Sequence, residues 1–247
     1  MNIVIPLGGI GKRFQKAGYN TPKALVHCHG SPLLDKALSS IGNLENTQIY
    51  IAFHKVLDNW AFSERILEKY PEIRLLTLTR STCGAADTLA IVAKKIEEER
   101  QNFPLISIDS DIFFKFSIQE ILEKQENKNC CFYFEDQQKK PLYSYIKLNE
   151  NQEVVDIAEK VKISQFANIG IYSFSSTKLY SKLFQDTVSK KQKASNSEIF
   201  ISHVIKQAIK NGEKFSGINI HPEDYHCLGT PSPVSYTHLT LPTNDRV

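Results

Sequence analysis

The sequence predicts an α/β fold: a mostly parallel sheet flanked by helices, with a mixed or antiparallel β extension in the second half. Through the first half of the chain, short apolar runs alternate with amphipathic helical stretches, the pattern of βαβ units on a parallel sheet. After Glu126 that alternation stops, and four β-rich runs follow one another closely. With 247 residues, 41% of them hydrophobic, the chain can bury roughly 70% or more of its unfolded surface, so disorder is excluded.

Residues 2–7 (NIVIPL) form an apolar run closed by Gly8 and Gly9, which predicts a buried parallel strand entering a glycine turn. Further strands are predicted at 48–53 (QIYIAF), 73–79 (IRLLTLT) and 104–109 (PLISID), with helices at 32–41, 56–70 and 84–100. In the third helix Ala85, Leu89, Val92 and Ile96 recur at spacings of four, three and four and make an inner face, while Lys94, Lys95 and the EEER run face water. Trp60 falls on the second helix and is expected in the core. The β-rich runs are 130–134, 143–148, 153–158 and 167–174. A helix over 198–211 closes at Gly212, a left-handed C-cap residue, and 215–220 supplies one more strand. No repeat or low-complexity linker interrupts the chain, so one domain is drawn over 1–231.

The 30 Lys and Arg residues against 27 Asp and Glu leave a net charge of +3 without long runs of one sign, which excludes nucleic acid and acidic membrane as main partners. Five cysteines without a CxxC pair support neither a zinc knuckle nor a disulfide framework and fit a reducing cytoplasm. No apolar run approaches the ~20 residues of a membrane span, and the N-terminus enters a strand directly, so the chain is expected to be soluble and unexported.

The glycine turn continues as Gly8-Gly9-Ile10-Gly11-Lys12-Arg13-Phe14. Glycines after a strand let the backbone approach phosphates, and successive N–H groups make an anion-binding concavity. Neither common nucleotide loop is present: a dinucleotide fingerprint needs glycine where Phe14 stands, and a Walker A loop needs glycine at Pro6 and Ser or Thr at Arg13. Asp109 and Asp111 stand at the carboxyl end of a predicted central strand, where open α/β sheets place their ligands. Two residues apart, they point to one face if the chain stays extended. His27, His29 and His54 lack ligand spacing, and Lys16 reads as a solvated cation.

The stretch 8–34 (GGIGKRFQKAGYNTPKALVHCHGSPLL) resembles the signature loop of the sugar-phosphate nucleotidyltransferases. Further blocks follow in that family's order: 82–88 (TCGAADT), similar to its base-reading segment, 108–113 (IDSDIF), similar to its metal-binding aspartate, then 158–160 (AEK), 168–172 (NIGIY), Ser197-Glu198 and 228–231 (LGTP). The resemblance implies a Rossmann-like nucleotidyltransferase sheet, Mg²⁺ as cofactor, and an NTP and a phosphorylated small-molecule acceptor as partners. It implies catalytic roles for Arg13, Lys23 and Asp111, with Asp111 the metal ligand. Nucleotide contacts are implied for Leu7, Gly8, Gly9, Gly11, Lys12, Thr82, Gly84, Ala85 and Asp109. Acceptor contacts are implied for Glu159, Lys160, Asn168, Gly170 and Glu198.

The chemistry explains these residue types. Two polyanions must react in line at the α-phosphorus, so charge must be neutralised and aligned. Arg13 can fork two phosphate oxygens, Lys12 can assist it, and Lys23 would sit where the reacting phosphates meet. A hard divalent ion bridging phosphates uses one or two carboxylates plus water. Asp109 either shares that site, orients Asp111 or caps the turn. Glu159 with Lys160 also reads as an exposed ion pair, and Glu198 as a first-turn residue behind an Asn196 or Ser197 N-cap. Many family members carry an aspartate where this chain has Cys227, and Asp224 is the nearest carboxylate upstream.

The leading expectation is transfer from an NTP to a sugar 1-phosphate for surface-glycan synthesis. A cytidylyltransferase for a non-sugar phosphate and, given Cys227, a catalytically silent nucleotide-binding homologue are the alternatives. A dinucleotide oxidoreductase is disfavoured by Phe14. From about Ser232 the sequence has prolines, no periodicity and a resemblance to translated adaptor sequence, so 232–247 is expected to be non-native or disordered, with the native C-terminus missing.

Overall fold

The computed structural model describes residues 1–9, 14, 16–42, 44–191 and 198–229. Gly11, Lys12, Arg13, the Asn196 and Ser197 caps and the 232–247 segment lie outside them. In chain order the elements are β1 (Asn2–Leu7), a 3₁₀ turn (Lys23–Leu25), β2 (His27–Cys28), β3 (Ser31–Pro32), α1 (Leu33–Ile41), β4 (Gln48–His54), α2 (Phe62–Lys69), β5 (Arg74–Leu78) and α3 (Ala85–Ala93). Then come β6 (Leu105–Ile108), β7 (Ile112–Phe114), α4 (Ile118–Glu123), β8 (Cys130–Glu135), β9 (Ser144–Leu148), β10 (Val154–Glu159) and β11 (Phe166–Phe174). The last are α5 (Thr177–Lys191), α6 (Ile201–Lys210), β12 (Ser216–Asn219) and β13 (Tyr225–Cys227).

β1 pairs in parallel with β4 on one side and β6 on the other, and β4 pairs in parallel with β5. Its continuous apolar run is explained by burial on both faces: Ile3, Ile5 and Leu7 enter one core with α1, α2 and α4, and Val4 enters the other with α3, α5 and α6. β11 pairs antiparallel with β8 from Phe166 to Ser173, while its other edge is shared, the β9–β10 hairpin pairing at Phe166 and Ala167 and β6 from Ile171 to Phe174. The β-rich second half is therefore the mixed extension expected. Among the described residues no helix is long and apolar enough to cross a membrane.

The structure corrects several expectations. The predicted helix 56–70 is a 3₁₀ segment, Lys55–Trp60, followed by α2, because Ala61 adopts a left-handed φ of 53° that breaks the helix. Trp60 ends the 3₁₀ segment with 37% of its surface exposed and is not a core residue. The predicted helix 84–100 stops at Ala93, and α6 begins at Ile201, so Glu198 precedes the helix instead of lying in its first turn. Two helices, α4 and α5, and the β7–β13 ribbon were not anticipated.

Candidate active site

The strand order β6-β1-β4-β5 reverses between β1 and β6. In open α/β sheets that switch point opens a crevice outside the carboxyl ends of the strands. Two pockets meet there. One, of about 280 Å³, is lined by Leu7, Gly9, Lys23 and the turn 109–111. The other, of about 250 Å³, is lined by Ala85, Glu159, Asn168, Gly170, Tyr172 and Glu198 among others. Asp109 and Asp111 line both and form the wall between them.

β6 delivers these carboxylates. The strand ends at Ile108, and Asp109 donates its backbone N–H to the Gly170 carbonyl at 2.9 Å, which aims the Asp109 side chain at β11. Gly170 holds a φ of 87°, and a Cβ there would stand 2.6 Å from Asp109 Oδ2, so only glycine leaves room for that carboxylate. Burial, and next the Asp111 charge, push the Asp109 carboxyl up to about 7, with Lys23 pulling the other way. Lys23, fixed in its 3₁₀ turn after Pro22, makes a short ion pair with Asp111 Oδ2, and both side chains are largely shielded, at 26% and 15% exposure.

On the β1 side, Gly8 packs under a hydroxyl pair: Thr82 and Thr88 hydrogen-bond at 2.8 Å, and a Cβ on Gly8 would meet both oxygens within 2.7 Å. The segment 82–88 is thereby pinned to the glycine turn. Gly84 stands at the start of α3 against Glu198 and Ile199, and Ala86 N–H donates to the Ile199 carbonyl at 3.2 Å. Ala85 faces the β11-side pocket.

On the β11 side, Glu159 is the organising group. Its Oε2 accepts from Ser144, its partner across the β9–β10 pairing, and from Ser202 on α6 at 3.1 Å; Tyr172 OH in turn donates to Ser144 at 3.2 Å. Burial, with the Glu159 and Asp109 carboxylates nearby, holds the Tyr172 hydroxyl well above its usual range, so it stays a donor. Asn168 lines the pocket, yet its amide braces the strand irregularity around Gly170, accepting from Gly170 N–H at 2.7 Å and donating to the Ile171 carbonyl at 3.2 Å. Lys160 pairs with Glu159 Oε1 at 3.6 Å and stands 4.6 Å over the Phe200 ring, at the pocket's edge.

The chain is matched over residues 3–225 by the family model described as nucleotidyl transferase. The chain belongs to the nucleotidyl transferase family. A Sulfolobus acidocaldarius protein carrying the provisional name mannose-1-phosphate guanyltransferase is 23% identical over 182 residues, 70% of this chain and 48% of that protein. The chain spans about half the length of the curated relatives it matches. The nucleoside-diphosphate-sugar pyrophosphorylase of Vibrio cholerae shares the fold with a TM-score of 0.83 at 20% identity, over 96% of this chain and 99% of that one. The inositol-1-phosphate CTP transferase of T. maritima does so with a TM-score of 0.72 at 15% identity, over 96% and 94%.

Within this nucleotidyl transferase, Cys227 stands beside Asp111. Its thiol is raised by burial and then by the Asp111 charge, and it shares hydrogen bonds with the Tyr143 and Tyr225 hydroxyls. A protonated thiol is a poor ligand for a hard cation. Asp224 instead uses its backbone carbonyl to accept from Lys115 N–H at 3.0 Å and lies on no pocket wall described above. No cluster of three or more His, Cys, Asp or Glu suited to a metal exists among the described residues. Asp109 and Asp111 are two hard carboxylates on one wall, the number a hard divalent ion uses when phosphates and water complete its shell. Sequence reasoning assigned no role to Ser144, Tyr172 or Ser202: the β9–β10 register sets Ser144 opposite Glu159, and Tyr172, at the end of the 168–172 block, and Ser202 reach the same cluster from β11 and α6.

Proposed function

We propose that this nucleotidyl transferase joins an NTP to a sugar 1-phosphate, releasing pyrophosphate and giving a nucleoside diphosphate sugar for surface-glycan synthesis in the cytoplasm. The observation that carries the reading is the pair of pockets sharing Asp109 and Asp111 as their common wall. A two-substrate phosphoryl exchange needs such a place, one reactant on each side of a charged centre. The β1-side pocket takes the triphosphate, with Lys12 and Arg13 as its expected anchors. The β11-side pocket takes the glycosyl part, its hydroxyls donating to Glu159 and Glu198. An oxygen of the acceptor phosphate attacks the α-phosphorus, the α–β bridging bond breaks, and pyrophosphate carries away the electron pair. Lys23 stands where negative charge crowds in that transition state. Mg²⁺, held by Asp111 with Asp109 in support, would neutralise the phosphates as they meet. Five free thiols agree with a reducing compartment.

The test is incubation of the protein with each common NTP or dTTP, Mg²⁺ and a panel of sugar 1-phosphates and non-sugar phosphates, following pyrophosphate. Release with a sugar 1-phosphate is expected. Release only with a non-sugar phosphate would replace the acceptor, and a silent panel from folded protein would remove the reading. Asp111→Asn is the internal control: it keeps shape and folding and should abolish turnover, even in saturating Mg²⁺.

A further inference from the structure

Beside the β11-side pocket lies a larger cleft of about 860 Å³, and the two share Leu142, Tyr143, Tyr225 and Cys227. The β7–β13 ribbon separates them. Phe113 and His226, directly opposite in the ribbon, stack at 6.1 Å and line the cleft, while Asp111 and Ile112 line the pocket.

Their charges are opposed. Among the described residues the pocket lining holds four carboxylates, Asp109, Asp111, Glu159 and Glu198, of which Asp111 and Glu159 pair with Lys23 and Lys160 from outside that lining, whereas the cleft lining holds Lys36 and Lys115 beside His29 and His226 and no carboxylate. Neither Lys36 nor Lys115 forms an ion pair among the described residues. Hydroxyls suit the pocket, since carboxylates accept their hydrogen bonds; an added anion would be repelled there and attracted to the cleft. Resting on the transferase reading above, we propose that the acceptor is a phosphomonoester whose body bears a second negative charge, a carboxylate or phosphate. This group passes Leu142 and Tyr143 and is held in the cleft by Lys36 and Lys115. Phe113 and His226 form the adjoining wall.

The experiment compares a hexose 1-phosphate, a hexuronic acid 1-phosphate and a hexose 1,6-bisphosphate as acceptors, in wild type and in the combined Lys36→Gln, Lys115→Gln variant. One of the anionic acceptors should show the lowest KM, and the variant should raise that KM roughly ten-fold while leaving the KM for hexose 1-phosphate and for NTP unchanged. Calorimetric binding of hexose 1,6-bisphosphate should weaken in parallel. Anionic acceptors no better than hexose 1-phosphate, or a variant that affects all three equally, overturn this inference and leave the transferase reading standing. Unchanged bisphosphate binding in the variant overturns it whether or not turnover is seen. No pyrophosphate from any pair, with no bisphosphate binding, removes both.

Discussion

Lys23 and Asp111 illustrate how far individual residues were legible. The motif order selected both, and the structure pairs them at the wall between the pockets. What the sequence did not carry is that Lys23 balances Asp111 in the protein alone, or that Cys227 is held as a thiol beside them; both depend on the turn after β6 and on β13 returning from far along the chain. Lys23→Ala should lower kcat by on the order of 10² to 10³, the scale for removing one preorganised charge-stabilising donor. NTP affinity by calorimetry should change less; a large loss of NTP affinity with normal turnover at saturation would make Lys23 a binding cation only. Asp109 gives a pH signature. Its carboxyl titrates near 7 in the fold against an ordinary value of 3.8, so the folded protein holds a proton that the unfolded chain has released between these values. Its contribution to stability is complete below about 3.8 and is lost as pH rises toward 7. Asp109→Asn does not titrate, so its melting temperature relative to wild type, measured without metal, should rise from pH 4 to pH 7 and then level off. A difference constant with pH would show that Asp109 is not the group held protonated.

At the scale of elements, strands were easier to read than helices. β1, β4 and β6 are largely buried on both faces, so their apolar runs are continuous and bounded within a residue or two of the observed ends, and even the half-exposed edge strand β5 keeps an apolar run that marks it. The helix 56–70 failed because its amphipathic spacing persists across the break at Ala61, which backbone conformation imposes and side-chain periodicity cannot report. The loop 136–143 shows a different kind of hidden determinant. The Tyr145 hydroxyl donates to the buried Asp136 carboxylate at 2.6 Å and accepts from Leu142 N–H at 3.4 Å, tying both ends of the loop that carries Leu142 and Tyr143 to the pocket. Lys162 stands 3.7 Å from the same carboxylate. Tyr145→Phe leaves shape nearly unchanged but removes one donor from a buried charge, at a cost of about 1–3 kcal/mol. Thermal unfolding should shift down by several degrees. Acceptor KM should rise with NTP affinity unchanged; an equal effect on both substrates would indicate general loosening instead of a loop defect.

At the scale of the whole molecule, the two halves of the chain divide the work. The parallel half provides β1, its glycine turn and the 82–88 segment; the antiparallel half provides β9, β10, β11 and α6 around Glu159; and β6 lies between them with both aspartates at its end. The sequence disclosed this division because the change of pattern near Glu126 coincides with the change from parallel to antiparallel pairing. It could not disclose that one strand, β11, serves both hairpin and sheet, since that depends on pairing at long range. The division has a kinetic consequence. Glu159 does not line the β1-side pocket, and its Oε2 is fixed by Ser144 and Ser202 while Oε1 stands 3.6 Å from Lys160. Glu159→Gln preserves shape but replaces a charged acceptor by an amide that offers one weaker acceptor oxygen. Acceptor KM should therefore rise by roughly ten-fold or more, as for loss of a charge-assisted hydrogen bond, while calorimetric NTP affinity stays at the wild-type value. If NTP affinity falls as much as acceptor KM rises, the pockets are not two separate seats across the Asp109–Asp111 wall, and the assignment of one reactant to each half of the molecule is wrong.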